Sequence, residues 1–354
     1  MTSIRNYFFR YFKKQEAAIH ELNYLFWECT TRCNLHCLHC GSDCSQDSSH
    51  KDMPLEDFLR AVDTIKKPAR NFTVVFTGGE PLLRTDIEQC GRELRKRNLR
   101  WSMVSNGHAY TQQRHISLLN AGLGALTISL DGLEASHNWM RNSNQSFAKV
   151  IQAIAIAASS SRLQFDVVTC VNQRNIDELL QIKDLLISLN VKAWRLFTII
   201  PIGRAQTNPE LSLTDNQFVS LMEFIKKQRT IKGFDIKFSC EGYVGKYESD
   251  VRDTNFFCRA GINIGSILID GSISACPNID RSFSQGNMYT HNFFDVWNSQ
   301  FQSFRDRSWT RKGQCENCNE YKQCEGNGFH NWHGTKENVL VCHKQKIDNY
   351  FHIE

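Results

Sequence analysis

Between Leu22 and Arg229 the chain alternates two hydrophobic patterns, and that alternation restricts its fold more than any other feature. Short runs rich in β-branched and aromatic residues read as strands: LNYLFWE (22–28), FTVVFT (72–77), WSMVSN (101–106), ALTISL (125–130), FDVVTCV (165–171) and WRLFTII (194–200). Helical patterns lie between and after them, over Leu55–Ile65, Asp86–Lys96, Gln112–Leu119, Ser146–Ala158, Ile176–Leu189 and Thr214–Arg229. Pro54 ahead of the first and Thr214 at the start of the last supply start signals. Six strand–helix units in series predict an α/β fold with a parallel sheet covered by helices, doubly wound or barrel-like. No short solenoid repeat is present.

The chemically distinctive segments all fall at strand ends. CTTRCNLHCLHCGSDC (29–44) follows the first strand and TGGEP (77–81) the second; SNG (105–107), SLDG (129–132), CVN (170–172) and PIGR (201–204) follow the next four. Loops after the C-terminal strand ends build the active site of βα barrels, so six such segments predict a site on one rim.

After Lys232 the alternation stops. The remainder is rich in Gly, Asn and Cys, with short strand candidates ILID and SISA around a turn at Asp270-Gly271. Seven of the fourteen cysteines lie here: Cys240, Cys258, Cys276, Cys315, Cys318, Cys324 and Cys342. So few regular elements build little core, and metal sites are expected to hold this half together. The expected divisions are an N-terminal amphipathic segment (1–22), a barrel (23–232) and a Cys-rich α+β domain (233–354).

The N-terminus has no uninterrupted apolar core of the secretory kind, and no apolar run reaches the roughly 18 residues of a membrane span. A cytoplasmic, reducing setting is therefore expected, where clustered cysteines bind metal or catalyse rather than pair as disulfides. The formal net charge of +5 counts every thiol as neutral, and thiolates on clusters would bring it nearer zero. No basic tract with interleaved aromatics extends past residue 14, so no nucleic-acid partner is expected. Residues 1–14 form a candidate helix with Ile4, Tyr7, Phe8, Tyr11 and Phe12 on one face. Such a helix packs on its own domain or a partner, or lies on a membrane surface.

Cys33, Cys37 and Cys40 have the spacing C-x3-C-x2-C. Structural zinc favours two C-x2-C pairs, and only one is present here. Three thiolates suit a four-iron cluster with one iron left open; Cys29 or Cys44 would instead complete a closed four-thiolate site. Cys90 and Cys170 read as small buried hydrophobes.

This triplet after the first strand, with Gly78-Gly79-Glu80-Pro81 after the second, resembles the radical S-adenosylmethionine (SAM) superfamily over about residues 23–230. Ser129-Leu130-Asp131-Gly132, the stretch His137 to Arg141, and Asn172 fit the same pattern. The resemblance implies a partial (β/α)6 TIM-like barrel with a [4Fe–4S] cluster on Cys33, Cys37 and Cys40 and SAM on the fourth iron. It implies that Gly78, Gly79 and Glu80 contact the methionine amino group and that His39 packs near adenine. It also places Ser129 and Asp131 at the ribose or methionine end, Arg141 at the SAM carboxylate, and Asn172 at the cofactor. The implied chemistry is reductive cleavage of SAM to a 5′-deoxyadenosyl radical that removes hydrogen from a substrate. The cofactor carries this chemistry; the barrel orients and protects it.

CRAG (258–261), DGSISACP (270–277), Gly286-Asn287, Trp297 and Cys315-x2-Cys318-x5-Cys324 with Cys342 resemble the SPASM extension of radical SAM enzymes over roughly residues 255–345. The resemblance implies an auxiliary [4Fe–4S] cluster on Cys315, Cys318, Cys324 and Cys342. Two family cysteines are missing, one of them where Gly328 stands. A second auxiliary site thus retains Cys258 and Cys276. It is absent, atypical, or completed by Cys240, a histidine, an aspartate or the substrate. The expected activity is hydrogen abstraction from a peptide or protein side chain, with an external electron donor of the flavodoxin or ferredoxin type. The alternatives are a small-molecule substrate, such as a tetrapyrrole or sugar, and a non-catalytic iron–sulfur electron-transfer or binding protein.

Overall fold

The computed structural model describes residues 2–353 apart from 49, 67, 240, 335 and 336, so Cys240, a candidate ligand, lies outside the described residues. Six predicted strands form as β1 (Tyr24–Thr30), β2 (Thr73–Gly78), β3 (Arg100–Ser105), β4 (Leu123–Ser129), β5 (Gln164–Cys170) and β6 (Ala193–Phe197). The alternation runs one strand further than expected, to β7 (Asp235–Phe238), followed by β8 (Ile264–Ile267), β9 (Ser272–Ser274) and β10 (Gly286–Asn287). All ten join one sheet in the order β10-β9-β8-β1-β2-β3-β4-β5-β6-β7, which is not closed. β1 to β8 pair in parallel, whereas β9 and β10 pair antiparallel.

The covering helices are α1 (Thr2–Ile19), α2 (Leu55–Val62), α3 (Ile87–Lys96), α4 (Gln112–Asn120), α5 (Glu134–Arg141), α6 (Ser146–Ala158), α7 (Leu179–Ser188) and α8 (Asp215–Gln228). Period-two burial along the strands divides the two faces. In β6, Trp194 and Leu196 are fully buried, and Trp194 meets Phe224 of α8 edge-on at 6.2 Å. Ala193, Arg195 and Phe197 point the other way and are half-buried. Likewise Trp27 of β1 stacks on Phe58 of α2 at 4.1 Å.

α5 escaped the sequence reading because EASHNWMR is short and mostly polar. Its inward face mixes Met140 with polar side chains, His137 and Arg141 among them. Asn142 ends it in the left-handed region at φ 50°.

α1 packs on its own chain, but not through the expected apolar stripe. Its buried Lys13 pairs with Glu325 at 2.9 Å and donates to the Gln323 carbonyl at 3.0 Å. Ile4, Tyr7, Phe8 and Tyr11 stay exposed, Phe8 by 64%. A buried lysine needs its anionic partner, and that requirement sets the rotation of the helix. Among the described residues, no helix is long and apolar enough to cross a membrane.

Candidate active site and cysteine centres

The loop after β1 is held by its neighbours rather than by its own secondary structure. Arg204, in the PIGR segment, donates from Nε to the Cys37 carbonyl at 2.7 Å and from Nη1 to the Cys44 carbonyl at 3.1 Å. Its own amide donates to the Cys40 carbonyl at 3.1 Å. From the other side, the amides of Gly79 and Glu80 donate to the carbonyls of Thr30 and Arg32, both at 2.8 Å. A Cβ at Gly79 would sit 2.1 Å from the Arg32 oxygen, and one at Gly78 2.0 Å from the Thr30 oxygen. Only glycine permits that approach.

Glu80 sits beneath this clasp, fully buried. Its carboxylate accepts from Leu82 N at 3.1 Å, Ser105 Oγ at 2.9 Å and Asn106 N at 2.8 Å, which ties β2 to β3. Burial pushes its pKa up.

Cys33, Cys37 and Cys44 are buried and gather around Leu35, with Cys40 packed against them. Cys29 is apart: its thiol lies in the main core and donates to the Thr77 carbonyl at 3.3 Å. Burial pushes Cys33 up to about 11 and raises Cys37 as well. The Cys44 thiol beside Cys40 lowers the latter, helped by Arg204. Cationic and amide donors face the sulfurs: Arg141 Nη1 lies 3.6 Å from Cys37 Sγ and Asn106 Nδ2 3.8 Å from Cys33 Sγ. Donors of this kind stabilise thiolate ligands.

Beside the triplet lies a buried polar group from three rim loops. Arg141 Nη2 is 2.5 Å from Asp131 Oδ2, and His39 Nε2 is 3.9 Å from the same oxygen. One ligand atom each of His39, Asp131 and Cys170 falls within 4.8 Å of the others. Asp131 Oδ1 accepts from Cys170 N at 2.9 Å. Burial raises the Asp131 pKa, but the Arg141 guanidinium beside it holds the carboxyl below the ordinary range. Burial pushes His39 down to about 4, so its ring is neutral at pH 7. Ser129 ends β4 next to this group, half-buried. Asn172 is at the same rim with its amide committed locally, its Oδ1 accepting from Arg174 N at 2.8 Å. The neighbouring Asn175 instead reaches across to the Asp131 carbonyl at 2.9 Å.

His137 positions Asp131. Its Nδ1 accepts from Asp131 N at 3.0 Å, so the other nitrogen carries the proton and faces Ser146 Oγ at 3.0 Å. Burial pushes this ring down to about 3 from 6.5. The unfolded chain therefore binds a proton that the native state refuses as pH falls below 6.5. Stability is intact above that pH and drops by about 1.4 kcal/mol per pH unit from this group as acid is added. In His137→Gln, denaturant titrations of the unloaded protein between pH 6.5 and 4 should show a slope shallower by one proton.

The polar group fits an added cofactor. His39 Nδ1 and Arg141 Nε are buried without a hydrogen-bond partner among the described residues, beside the three thiols. Buried polar atoms are seldom left so, and the carboxylate of an amino acid group bound there would satisfy the guanidinium. Cys33, Cys37 and Cys40 would hold a cluster, with Arg141, Asp131 and His39 around its open side. When bound, cluster and SAM supply hydrogen-abstracting radical chemistry; the protein orients the reactants and excludes water.

The second centre lies in the C-terminal half. Cys315, Cys318, Cys324 and Cys342 feel one another's charge, and burial pushes Cys315 up to about 11 and Cys324 to about 12. Trp332 and Val339 wall the site, and Asn327 N donates to Cys324 Sγ at 3.1 Å. Arg307 is buried beside these thiols with Nε and Nη2 unpartnered. An uncompensated buried guanidinium calls for an anion, and a thiolate-bound cluster is one. Cys258 and Cys276 are half-buried on a different wall, facing a cavity of about 370 Å³.

Sequence reading placed the SNG, PIGR and CVN segments on the rim but did not single out Asn106 or Arg204, and it read Cys170, half-buried beside His39 and Asp131, as a small buried hydrophobe. It missed Arg307, which belongs to no motif, altogether.

Comparison with known proteins agrees with this geometry. Residues 27–186 match the radical SAM superfamily model, and residues 258–319 match the SPASM iron–sulfur cluster-binding domain. An AdoMet-dependent heme synthase of Oleidesulfovibrio alaskensis is 24% identical over 318 residues, covering 85% of this chain and 81% of its own. A mycofactocin maturase, MftC of Mycobacterium ulcerans, is 28% identical over 312 residues, covering 85% and 81%. The crystal form of anSMEcpe with bound AdoMet and a Cp18Cys peptide shares the fold, with a TM-score of 0.70, 18% identity, and coverage of 94% of this chain and 96% of that one. The chain therefore belongs to the radical SAM superfamily, as an enzyme with a C-terminal SPASM domain whose cofactors are iron–sulfur clusters and SAM.

Proposed function

We propose that this enzyme cleaves SAM reductively and abstracts hydrogen from a peptide or protein side chain. One observation carries the substrate class. An open groove runs beside the cysteine loop, lined by Leu38, Asn138, Trp139, Asn142, Asn144 and Arg174. Leu38 sits between two of the proposed cluster ligands, and the Arg174 guanidinium stacks over Trp139 at 4.4 Å. Side-chain amides around an open trough match the alternating donors and acceptors of an extended backbone. The MftC and anSMEcpe likenesses support the same class.

A tetrapyrrole is the second reading, favoured by the heme synthase relative. In either case Cys33, Cys37 and Cys40 hold the SAM cluster, residues 23–232 house the radical chemistry, and residues 233–354 carry the auxiliary site. The setting is the reducing cytoplasm, with an external one-electron donor of the flavodoxin or ferredoxin type.

Deuterium transfer decides between substrates. The reconstituted enzyme is incubated with SAM, reductant and either a side-chain-deuterated peptide library or iron coproporphyrin III deuterated on its propionates. Deuterium in 5′-deoxyadenosine from the peptide alone is expected; label arriving only from the porphyrin would overturn the peptide reading.

A further inference from the structure

We propose that Cys258, Cys276 and His330 hold a further iron–sulfur cluster through two thiolates and one imidazole. The site goes beyond the SAM chemistry, and its argument rests on the cavity itself.

Three distant stretches of chain bring these side chains to one cavity of about 370 Å³, whose wall also carries Phe256, Phe257 and Phe329 and the cations Arg195, Lys237, Arg252 and Arg259. The Phe329 amide donates to Cys258 Sγ at 3.4 Å, which fixes the turn Phe329–Asn331 against the thiol and delivers His330 to the same wall. Amide donors to sulfur are a usual support for cluster ligands.

Gly328 explains why the ligand is a histidine. A Cβ at 328 would lie 2.6 Å from His330 Cε1 and 3.1 Å from Nδ1, as well as 2.6 Å from the Glu241 carbonyl oxygen. A cysteine at 328 and the imidazole of His330 compete for one space. The chain has filled it with the ring. The ring lines the cavity together with both thiols. Among the described residues, the one near partner of its Nε2 is Asn331 Nδ2 at 3.5 Å, beyond ordinary hydrogen-bond length. The carboxylate on the cavity wall, Asp253, is taken by Arg229 at 2.6 Å and Lys237 at 3.0 Å.

The spacing disfavours a single ion. Zinc holds its ligands at about 2.0–2.3 Å, which crowds them together. Among the described residues, the only three such groups with ligand atoms within 4.8 Å are His39, Asp131 and Cys170. Cys258, Cys276 and His330 stand wider apart than that, as do Cys33, Cys37 and Cys40. Histidine in place of thiolate raises a cluster's potential, so this centre would accept electrons more readily than the four-thiolate one.

The test uses the full chain, reconstituted anaerobically with iron and sulfide and measured without SAM. Three clusters give about 12 irons per chain against about 8 for two. The expected wild-type result is about 12, with a nitrogen hyperfine coupling in pulsed EPR of the reduced protein. His330→Ala should fall to about 8 and lose the coupling. His330→Cys should keep about 12 irons without the coupling, which separates ligation from misfolding. A wild-type count near 8, or a nitrogen coupling that survives in both variants, overturns the proposal. Cys33→Ala should lower the iron count yet keep the coupling. Failure of the wild-type enzyme to form 5′-deoxyadenosine would strike the SAM reading and leave the nitrogen-ligated cluster standing.

Discussion

Alanine at Cys33, Cys37 or Cys40 is expected to abolish 5′-deoxyadenosine formation, whereas alanine at Cys29 or Cys44 should leave it within a few-fold of wild type. The structure sharpens the contrast between the two spared positions. Cys29 is buried on β1 and bonded to the Thr77 carbonyl, on the helix side of the sheet. Cys44 lies among the triplet and shares a hydrogen bond with Cys40, so its removal is the more demanding test. If three thiolates hold the cluster, Cys44→Ala loses that hydrogen bond, about 1 kcal/mol, and a long contact to the Ser42 carbonyl at 3.9 Å. If four do, Cys44→Ala behaves as Cys40→Ala. Anaerobic reconstitution, an iron count and chromatography of the nucleoside with dithionite and SAM distinguish the two. A Cys44→Ala enzyme that binds no cluster would sink the open-iron assignment.

Arg141→Met is expected to destabilise the unloaded protein by about 3–5 kcal/mol, because it strands the wholly buried Asp131 carboxylate. The double variant Asp131→Asn/Arg141→Met should cost clearly less than the two single changes summed, since the pair acts as a unit. Urea midpoints read both effects. The same guanidinium faces Cys37 Sγ at 3.6 Å, so SAM cleavage should be lost in both variants that lack it, even where the fold survives. A single Arg141→Met within 1 kcal/mol of wild type would show that water reaches Asp131 and that the two residues do not form a dry pair.

The amphipathic pattern of α1 foretold a helix but not its orientation. An apolar stripe ordinarily turns inward, yet here the buried Lys13–Glu325 pair fixes the rotation and leaves the stripe outside. Glu325 is 312 residues away, beyond the reach of any local pattern. The same holds at α5, whose buried face sets beside Ser136 and Met140 a histidine and an arginine that composition alone reads as solvent-facing.

The sequence by itself determined the order of strands and helices, the rim on which the site is built, and the thiol triplet. Those signals are local: hydrophobic period, turn residues and ligand spacing act within a few residues of one another. Tertiary structure alone decided that β8 joins β1 in one open sheet, that Arg141 meets Cys37 across 104 residues, and that Arg307 lies buried beside the Cys315 and Cys324 thiols. It alone decided, too, that the ring of His330 fills the space beside Gly328. Each of these matches a buried charge or a missing side chain to a partner far along the chain. Desolvation and packing enforce such matches only once the chain has folded.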